Sequence, residues 1–371
     1  MKISHRKVNT RSKKIMYCLL FAFTFYSIQS NAQSAIKGYE VKKLAEGVYS
    51  FVWKEPAQNP IESYSLFVIN QEDVVVVDAC WWPSATELMI KELKKLSNKP
   101  VKYVINTHWH NDHLSGNYVY KKYWPGVEFI AHTSSRKDYQ EQIVNERASI
   151  LNRYKVEPAE YVKWLKEGKD ATGKTLDSAR RNRVQQVVDF YNQMTAEFLK
   201  VQFVLPDHLI SDSFVLYRGD RIIKVLWLGR GNTRGDVVLF LPKEKIVATG
   251  DLVVSPIPFG FGSYYKEWIQ VLSRLESLDA NFYIPGHGPL LENKDYIRQL
   301  KDMLNELVTE VDKAVKEGLS FEEIQKRITL AEWRKKFAGE DPTLQRSFDA
   351  FFLLPSIEGA WHQAKGDKDG G

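Results

Sequence analysis

Thr107-His108-Trp109-His110-Asn111-Asp112-His113 follows directly on the apolar run Val101-Lys102-Tyr103-Val104-Ile105, and this junction decides how the chain is read. A β-branched and aromatic run of that length is a strand. The loop after it holds three imidazoles and a carboxylate within six residues. The whole chain has 8 histidines, and three of them stand here. Neutral imidazole nitrogen plus a hard carboxylate oxygen is the donor set of a divalent ion such as zinc. The loop is expected to bind metal.

Working outward, residues 1–32 are set aside first. Lys2, Arg6, Lys7, Arg11, Lys13 and Lys14 form a basic start, Ile15 to Ile28 is apolar, and Ser30-Asn31-Ala32 precedes an expected cut before Gln33. That is the pattern of a secretory leader. It is too short and too soon interrupted for a spanning helix, so no stable membrane anchor is expected and the product is read as secreted, into a periplasm. The leader carries six of the 52 basic residues and none of the 46 acidic ones, so the remainder is charge-balanced and nucleic-acid binding loses its support. Cys18 leaves with the leader and Cys80 alone remains, which rules out an internal disulfide; Cys80 is read as buried and inert. Roughly 340 residues suffice for one large core.

Val41 to Trp53, Tyr64 to Asn70, Val74 to Asp78 and Val127 to Ala131 read as further strands, and Ala85 to Leu96 as a helix stopped by Asn98-Lys99-Pro100. The second half repeats the style. Phe214–Arg218, Arg221–Leu228, Asp236–Leu241 and Ile246–Thr249 are strands, Tyr265 to Leu278 a helix, and Phe282-Tyr283-Ile284 a short strand. Between the halves, residues 134–200 are charged and helical, an insert too long for a plain connection. It is expected over or beside the metal edge, as a lid or a contact between copies in a homo-oligomer. From Leu291 the chain reads as helical again, with a capping box at Ser320-Phe321-Glu322-Glu323. Strands with interposed helices in both halves place helices outside two sheets. The expected division is 33–290 for the main domain and 291–371 for a helical extension.

More ligands are expected at strand ends. Gly250-Asp251 closes the strand Ile246–Thr249, and an Asp there can bridge two ions through its two oxygens. Pro285-Gly286-His287-Gly288 follows Phe282–Ile284, with glycines that let the backbone bend and the imidazole face inward. His132 reads as a strand-end cap, and His208 and His362 as surface residues.

Taken in order, Val74–Asp78 (VVVVD), THWHNDH, Gly229–Asp236 (GRGNTRGD), Gly250-Asp251 and Pro285–Gly288 (PGHG) resemble the metallo-β-lactamase-fold hydrolase superfamily over roughly Val41 to Leu290. The resemblance implies an α/β fold, a four-layer αββα sandwich, with metals at one edge of the two sheets. It implies a first site at His108 and His110, a second at Asp112, His113 and His287, and Asp251 between them. Asp78 would match a buried Asp that supports the ligands from behind. One position departs from the pattern. Where the family has Gly-His-Thr, this chain has Gly231-Asn232-Thr233, so the third imidazole of the first site is replaced by a carboxamide. Zinc is therefore expected as one tight ion and a second, weaker one, with Asn232 a weak ligand or a substrate contact.

The chemistry that follows is hydrolysis. A bound ion brings the pKa of water towards neutrality and polarises a carbonyl, and Asp112 can orient the water. A lactam, lactone, ester or thioester of a small molecule is the expected substrate. Arg230 and Arg234 flank Asn232 and are candidates to hold a substrate carboxylate or phosphate. Phe259 and Phe261, in a glycine-hinged aromatic loop, are candidates for an apolar pocket wall. Two other readings stand beside this one: a redox or sulfatase-type member of the same fold, and a binding protein without catalysis.

Overall fold

The computed structural model describes residues 38–53 and 62–366; the expected leader, residues 1–32, lies outside the described residues. Two sheets carry the fold. The first has seven strands in spatial sequence order: β1 (Tyr39–Ala45), β2 (Val48–Trp53), β3 (Ser65–Ile69), β4 (Val74–Val77), β5 (Val101–Ile105), β6 (Glu128–His132) and β7 (His208–Ile210). The second has five, from β8 (Ser213–Arg218) through β9 (Arg221–Trp227), β10 (Val237–Leu241) and β11 (Ile246–Val254) to β12 (Phe282–His287). Strands β4 to β7 run parallel to one another, and so do β11 and β12.

Period-two alternation builds the layers. On β10, Val237, Leu239 and Leu241 face the core shared with the first sheet, while Val238 and Phe240 face the outer helices. All five are buried, as expected of a strand covered on both faces. The helix Pro83–Leu96 covers the first sheet with Ala85, Met89, Ile90 and Leu93, its start set by Pro83 in the first helical turn. The helices Tyr265–Ser277 and Asp295–Lys316 cover the second with Trp268, Leu272, Leu300 and Leu304. The fold is the αββα sandwich with further helices at the C-terminus. Those helices share one apolar core with β10 and β11, through Phe348, Phe352 and Ile357. The expected capping box forms, Ser320 and Glu323 each accepting from the other's backbone N–H.

Four readings are corrected. Val41 to Trp53 is not one strand but the hairpin β1–β2, turned at Glu46-Gly47 with Gly47 at φ 69°. The strand read as Ile246–Thr249 does not end at Gly250-Asp251 but runs on to Val254. Gly250 takes φ 53° at a register shift, a bulge that re-aims the next side chain. The strand at Phe282 continues to His287, and β7 was not read at all. The insert is also more than a lid. Its helices Arg147–Val156 and Ser178–Lys200 bury Tyr154, Tyr191 and Phe198 in the core of the first sheet, with Tyr154 edge-on to Trp81 and Phe190 against Trp82.

Candidate metal centre

Parallel pairing sends β4, β5, β11 and β12 out at the same edge, and each delivers one piece of the site. After β4 the chain turns through Asp78 at φ 58° and Cys80 at φ 61°, two side-chain-bearing residues in the left-handed region. Such strain persists where the surroundings over-determine it. Here Asp78 N–H donates to Ile105 O and Ala79 N–H to His113 O, both at 2.9 Å. Glu62, buried, accepts from the N–H groups of Trp81 and Trp82 at 3.0 Å, and burial pushes its carboxyl up to about 8. After β5, His110 precedes the short helix Asn111–Leu114, which carries Asp112 and His113. Asp251 sits on the β11 bulge and His287 ends β12. Gly286 is required beside it, since a Cβ there would lie 1.9 Å from Asp251 Oδ1.

The side chains converge in two groups, with Asp251 of the first reaching towards the second. His108, His110 and Asp251 form the first; Asp112, His113 and His287 form the second. Asp251 Oδ2 lies 3.5 Å from His108 Nε2 and 3.9 Å from His110 Nδ1, while its Oδ1 lies 3.4 Å from His113 Nε2 and 3.6 Å from His287 Nε2. In the second group Asp112 Oδ2 is 3.3 Å from His113 Nε2 and 2.8 Å from His287 Nε2. A tetrahedral zinc ion with bonds of about 2.0–2.2 Å sets its donor atoms about 3.4 Å apart, so the spacing fits. The fit has a second sign. His113 Nε2 and Asp251 Oδ1 are buried and make no hydrogen bond, which is costly for lone pairs that nothing else uses.

Behind the donors stands Asp78. One carboxylate oxygen accepts from Thr107 N–H at 2.8 Å; the other accepts from Thr107 Oγ1 at 2.8 Å and lies 2.7 Å from His113 Nδ1. That contact puts the ring proton on Nδ1 and leaves Nε2 as a lone pair facing the site. His108 is fully buried, and burial with the neighbouring His113 and His110 pulls it down to about 3, so it stays neutral. Burial opposes charge on His113 and His287 too, but Asp112, Asp78 and Asp251 outweigh it at His113, and Asp251 and Asp112 at His287, so both are raised. Burial opposes the charge of Asp112 and Asp251 likewise, and the surrounding imidazoles hold both low. His110, Asp112 and His287 are 17–19% exposed, while His108 and His113 are at 0%, so the centre opens on that side.

The flanking candidates divide. Phe259 packs its ring 5.7 Å from His110, and Phe261 lies 5.0 Å from Phe259, forming an apolar wall at the mouth. The two arginines each hold a carboxylate within the fold and keep about a third of their side chains exposed. Arg230 pairs with Glu267 and lies over the Tyr264 ring at 4.4 Å; Arg234 pairs with Asp138 of the insert. Asn232 is buried beside Phe259. His132 caps the helix Thr133–Tyr139, accepting from Ser134 N–H, and stacks on Trp227. Cys80 is buried, and its thiol is pushed well up by burial and by Glu62. Thr107, Glu62 and Ser263 were not singled out in the sequence. Thr107 stood within the ligand motif, and lone Glu and Ser residues give no pattern to find.

The family model described as the metallo-beta-lactamase superfamily matches residues 59–287, more than half of the chain. The chain belongs to the metallo-β-lactamase superfamily. Among relatives of this superfamily member, a linear primary-alkylsulfatase of Pseudomonas sp. (strain ATCC 19151) is 20% identical over 288 residues, 75% of this chain and 51% of the relative. A metallo-beta-lactamase type 2 of Bacteroides fragilis is 23% identical over 134 residues, 34% of this chain and 53% of the relative. The chain thus spans about half the length of each. Among solved structures, the metallo-β-lactamase FIM-1 from Pseudomonas aeruginosa in its mono-zinc form superposes with a TM-score of 0.50 at 16% identity, covering 74% of this chain and 98% of that one. At that identity the likeness concerns the fold. Among the described residues no helix is long and apolar enough to cross a membrane.

Proposed function

We propose that this superfamily member is an exported zinc-dependent hydrolase that cleaves a lactam, lactone, ester or thioester of a small molecule. The observation that carries the reading is Asp251, whose two oxygens serve two separate donor groups 3.4–3.9 Å away. His108, His110 and Asp251 would hold one ion, and Asp112, His113, His287 and Asp251 the other. A bound ion supplies an acidified water and an electrophile for the developing oxyanion. The protein supplies the rest. Asp112, at the open side, orients the attacking water and takes up its proton. Asp78 fixes the His113 ring, and buried His108 keeps its lone pair at neutral pH. Phe259 and Phe261 seat the apolar part of the substrate and exclude water around the scissile bond. The leader of residues 1–32 supports export, and the balanced charge of the remaining chain supports a small-molecule substrate over nucleic acid.

A second reading, hydrolysis of a sulfate ester, draws on the alkylsulfatase likeness over 75% of this chain. One experiment separates the two. The purified, zinc-loaded protein is assayed against a cephalosporin chromophore, an acyl lactone, a nitrophenyl ester, an acyl thioester, a phosphodiester and an alkyl sulfate, with and without chelator. Chelator-sensitive turnover of an acyl substrate supports the proposal, turnover of the sulfate alone replaces it with the second reading, and a metal-loaded protein inert to all overturns both.

A further inference from the structure

The first donor group has two imidazoles and one shared carboxylate oxygen, fewer protein donors than the second group, where Asp112, His113 and His287 are joined by the other oxygen of Asp251. Asn232 lies on the loop between β9 and β10 and is 1% exposed. Its Nδ2 donates to the Phe259 carbonyl at 3.0 Å and sits 3.4 Å from Ser263 Oγ. A backbone carbonyl only accepts, so the amide nitrogen must face Phe259 and the amide oxygen must face the other way. That oxygen is buried and has no hydrogen-bond partner. The loop touches neighbours of two members of the first group. Phe259, which anchors the amide, packs on His110, and Gly231 lies against Leu252, the residue after Asp251, where a Cβ would meet Leu252 Cδ2 at 2.3 Å.

We propose that Asn232 Oδ1 is the fourth donor of the first group, so that this chain builds a site of two imidazoles, one carboxylate and one carboxamide. The inference rests on the metal-centre reading above. The consequence is an asymmetric pair. The second group has Asp112 in full and a share of Asp251. The first has only its share of Asp251 and a neutral oxygen where a stronger nitrogen donor would hold zinc. Oxygen donors also favour harder ions, so manganese(II) competes better at the first site than at the second.

The test uses the full chain stripped with chelator and titrated with zinc by calorimetry, with manganese(II) binding followed by electron paramagnetic resonance. Two zinc steps at least tenfold apart are expected. In Asn232→Ala the weaker step is lost and the stronger stays within threefold. In Asn232→His the weaker step tightens at least tenfold and manganese uptake falls. If both zinc steps survive unchanged in Asn232→Ala, the oxygen is not a ligand and the proposal is overturned. Should Asn232→Ala fail to fold, the cobalt(II) form of Asn232→His decides. A ligand-field spectrum identical to that of the unmodified protein overturns the proposal, and a changed first-site spectrum supports it. Absence of any tight ion in the unmodified protein sinks the metal-centre reading itself, and this proposal with it.

Discussion

Asp78→Asn keeps the size of a buried side chain, and asparagine tolerates the left-handed backbone that Asp78 occupies at φ 58°. What changes is the pattern of donors and acceptors. Asp78 accepts three contacts, from Thr107 N–H, Thr107 Oγ1 and His113 Nδ1. An amide has one acceptor and one donor end. If its oxygen stays on Thr107 N–H, its NH2 faces His113 Nδ1, which must then offer a lone pair. The ring proton moves to Nε2, the atom that faces Asp112 and Asp251, and the second group loses a donor. If the amide turns round, its NH2 meets Thr107 N–H, donor against donor, and the loop is pushed away. Either way the second group suffers. Partners behind a metal-ligating histidine are typically worth 10–100-fold in metal affinity, or about 1.4–2.7 kcal/mol. A zinc competition titration against a chromophoric chelator should show a loss in that range at the tighter step. Nitrogen NMR of the metal-free protein, taken above the raised folded value of His113 where the ring is neutral, should show its proton shifted from Nδ1 to Nε2. Unchanged zinc affinity, with the His113 tautomer also unchanged, would refute the reasoning.

Further outcomes follow from the same geometry. Asp112→Ala and His287→Ala each remove a donor from the second group and should each abolish hydrolysis; turnover at the unmodified rate in saturating zinc would sink the assignment. Gly260→Ala would set a Cβ 2.2 Å from Ser356 Oγ and 2.9 Å from Phe352 O. We expect it to cost about 1–3 kcal/mol in chemical denaturation, as overpacking does, and to weaken the first zinc step by displacing Phe259. The metal-free protein should become less stable as pH rises above the unfolded histidine value of about 6.5. His113 and His287 have raised values in the fold, so their contribution is complete below the unfolded value of about 6.5 and is lost as pH climbs through the folded values. Zinc binds the deprotonated rings, so the melting-temperature gap between zinc-loaded and metal-free protein should widen over that interval, and a constant gap would contradict the assignment of those two residues.

The metal centre was readable because its chemistry is local. His108, His110, Asp112 and His113 fall in six consecutive residues, and the Asp and His that complete them stand beside glycines, Gly250 at the β11 bulge and Gly286 near the end of β12. The αββα layering was readable for a similar reason, since Val74–Val77 and Val237–Leu241 are continuous apolar runs, the mark of strands covered on both faces. What escaped is set by distant contact. Whether Arg230 and Arg234 are free depends on Glu267 and Asp138, 37 and 96 residues away. The β1–β2 turn was missed because Glu46-Gly47 interrupts the apolar pattern by only two residues. The continuation of β11 through Gly250 was missed because a glycine marks a bulge and a strand end with the same letter.

The helices beyond residue 291 lie outside the span that matches the superfamily, 59–287, yet they reach the centre by a short route. Gly260 N–H donates to Phe351 O at 2.8 Å, the Tyr265 hydroxyl donates to Gly260 O and lies 3.3 Å from Pro355 O, and Gln363 donates to Ser263 O at 2.8 Å. All three contacts grip the loop that carries Phe259 and Ser263, and those two residues hold the amide nitrogen of Asn232. An imidazole at position 232 would be oriented largely by its own bond to a metal. A carboxamide is a weaker donor and can turn about its terminal bond, so it serves as a ligand only when its nitrogen end is held. The C-terminal helices therefore offset the weaker donor by fixing the loop that orients it. On this argument, loosening the helices should be felt at the first donor group before the second.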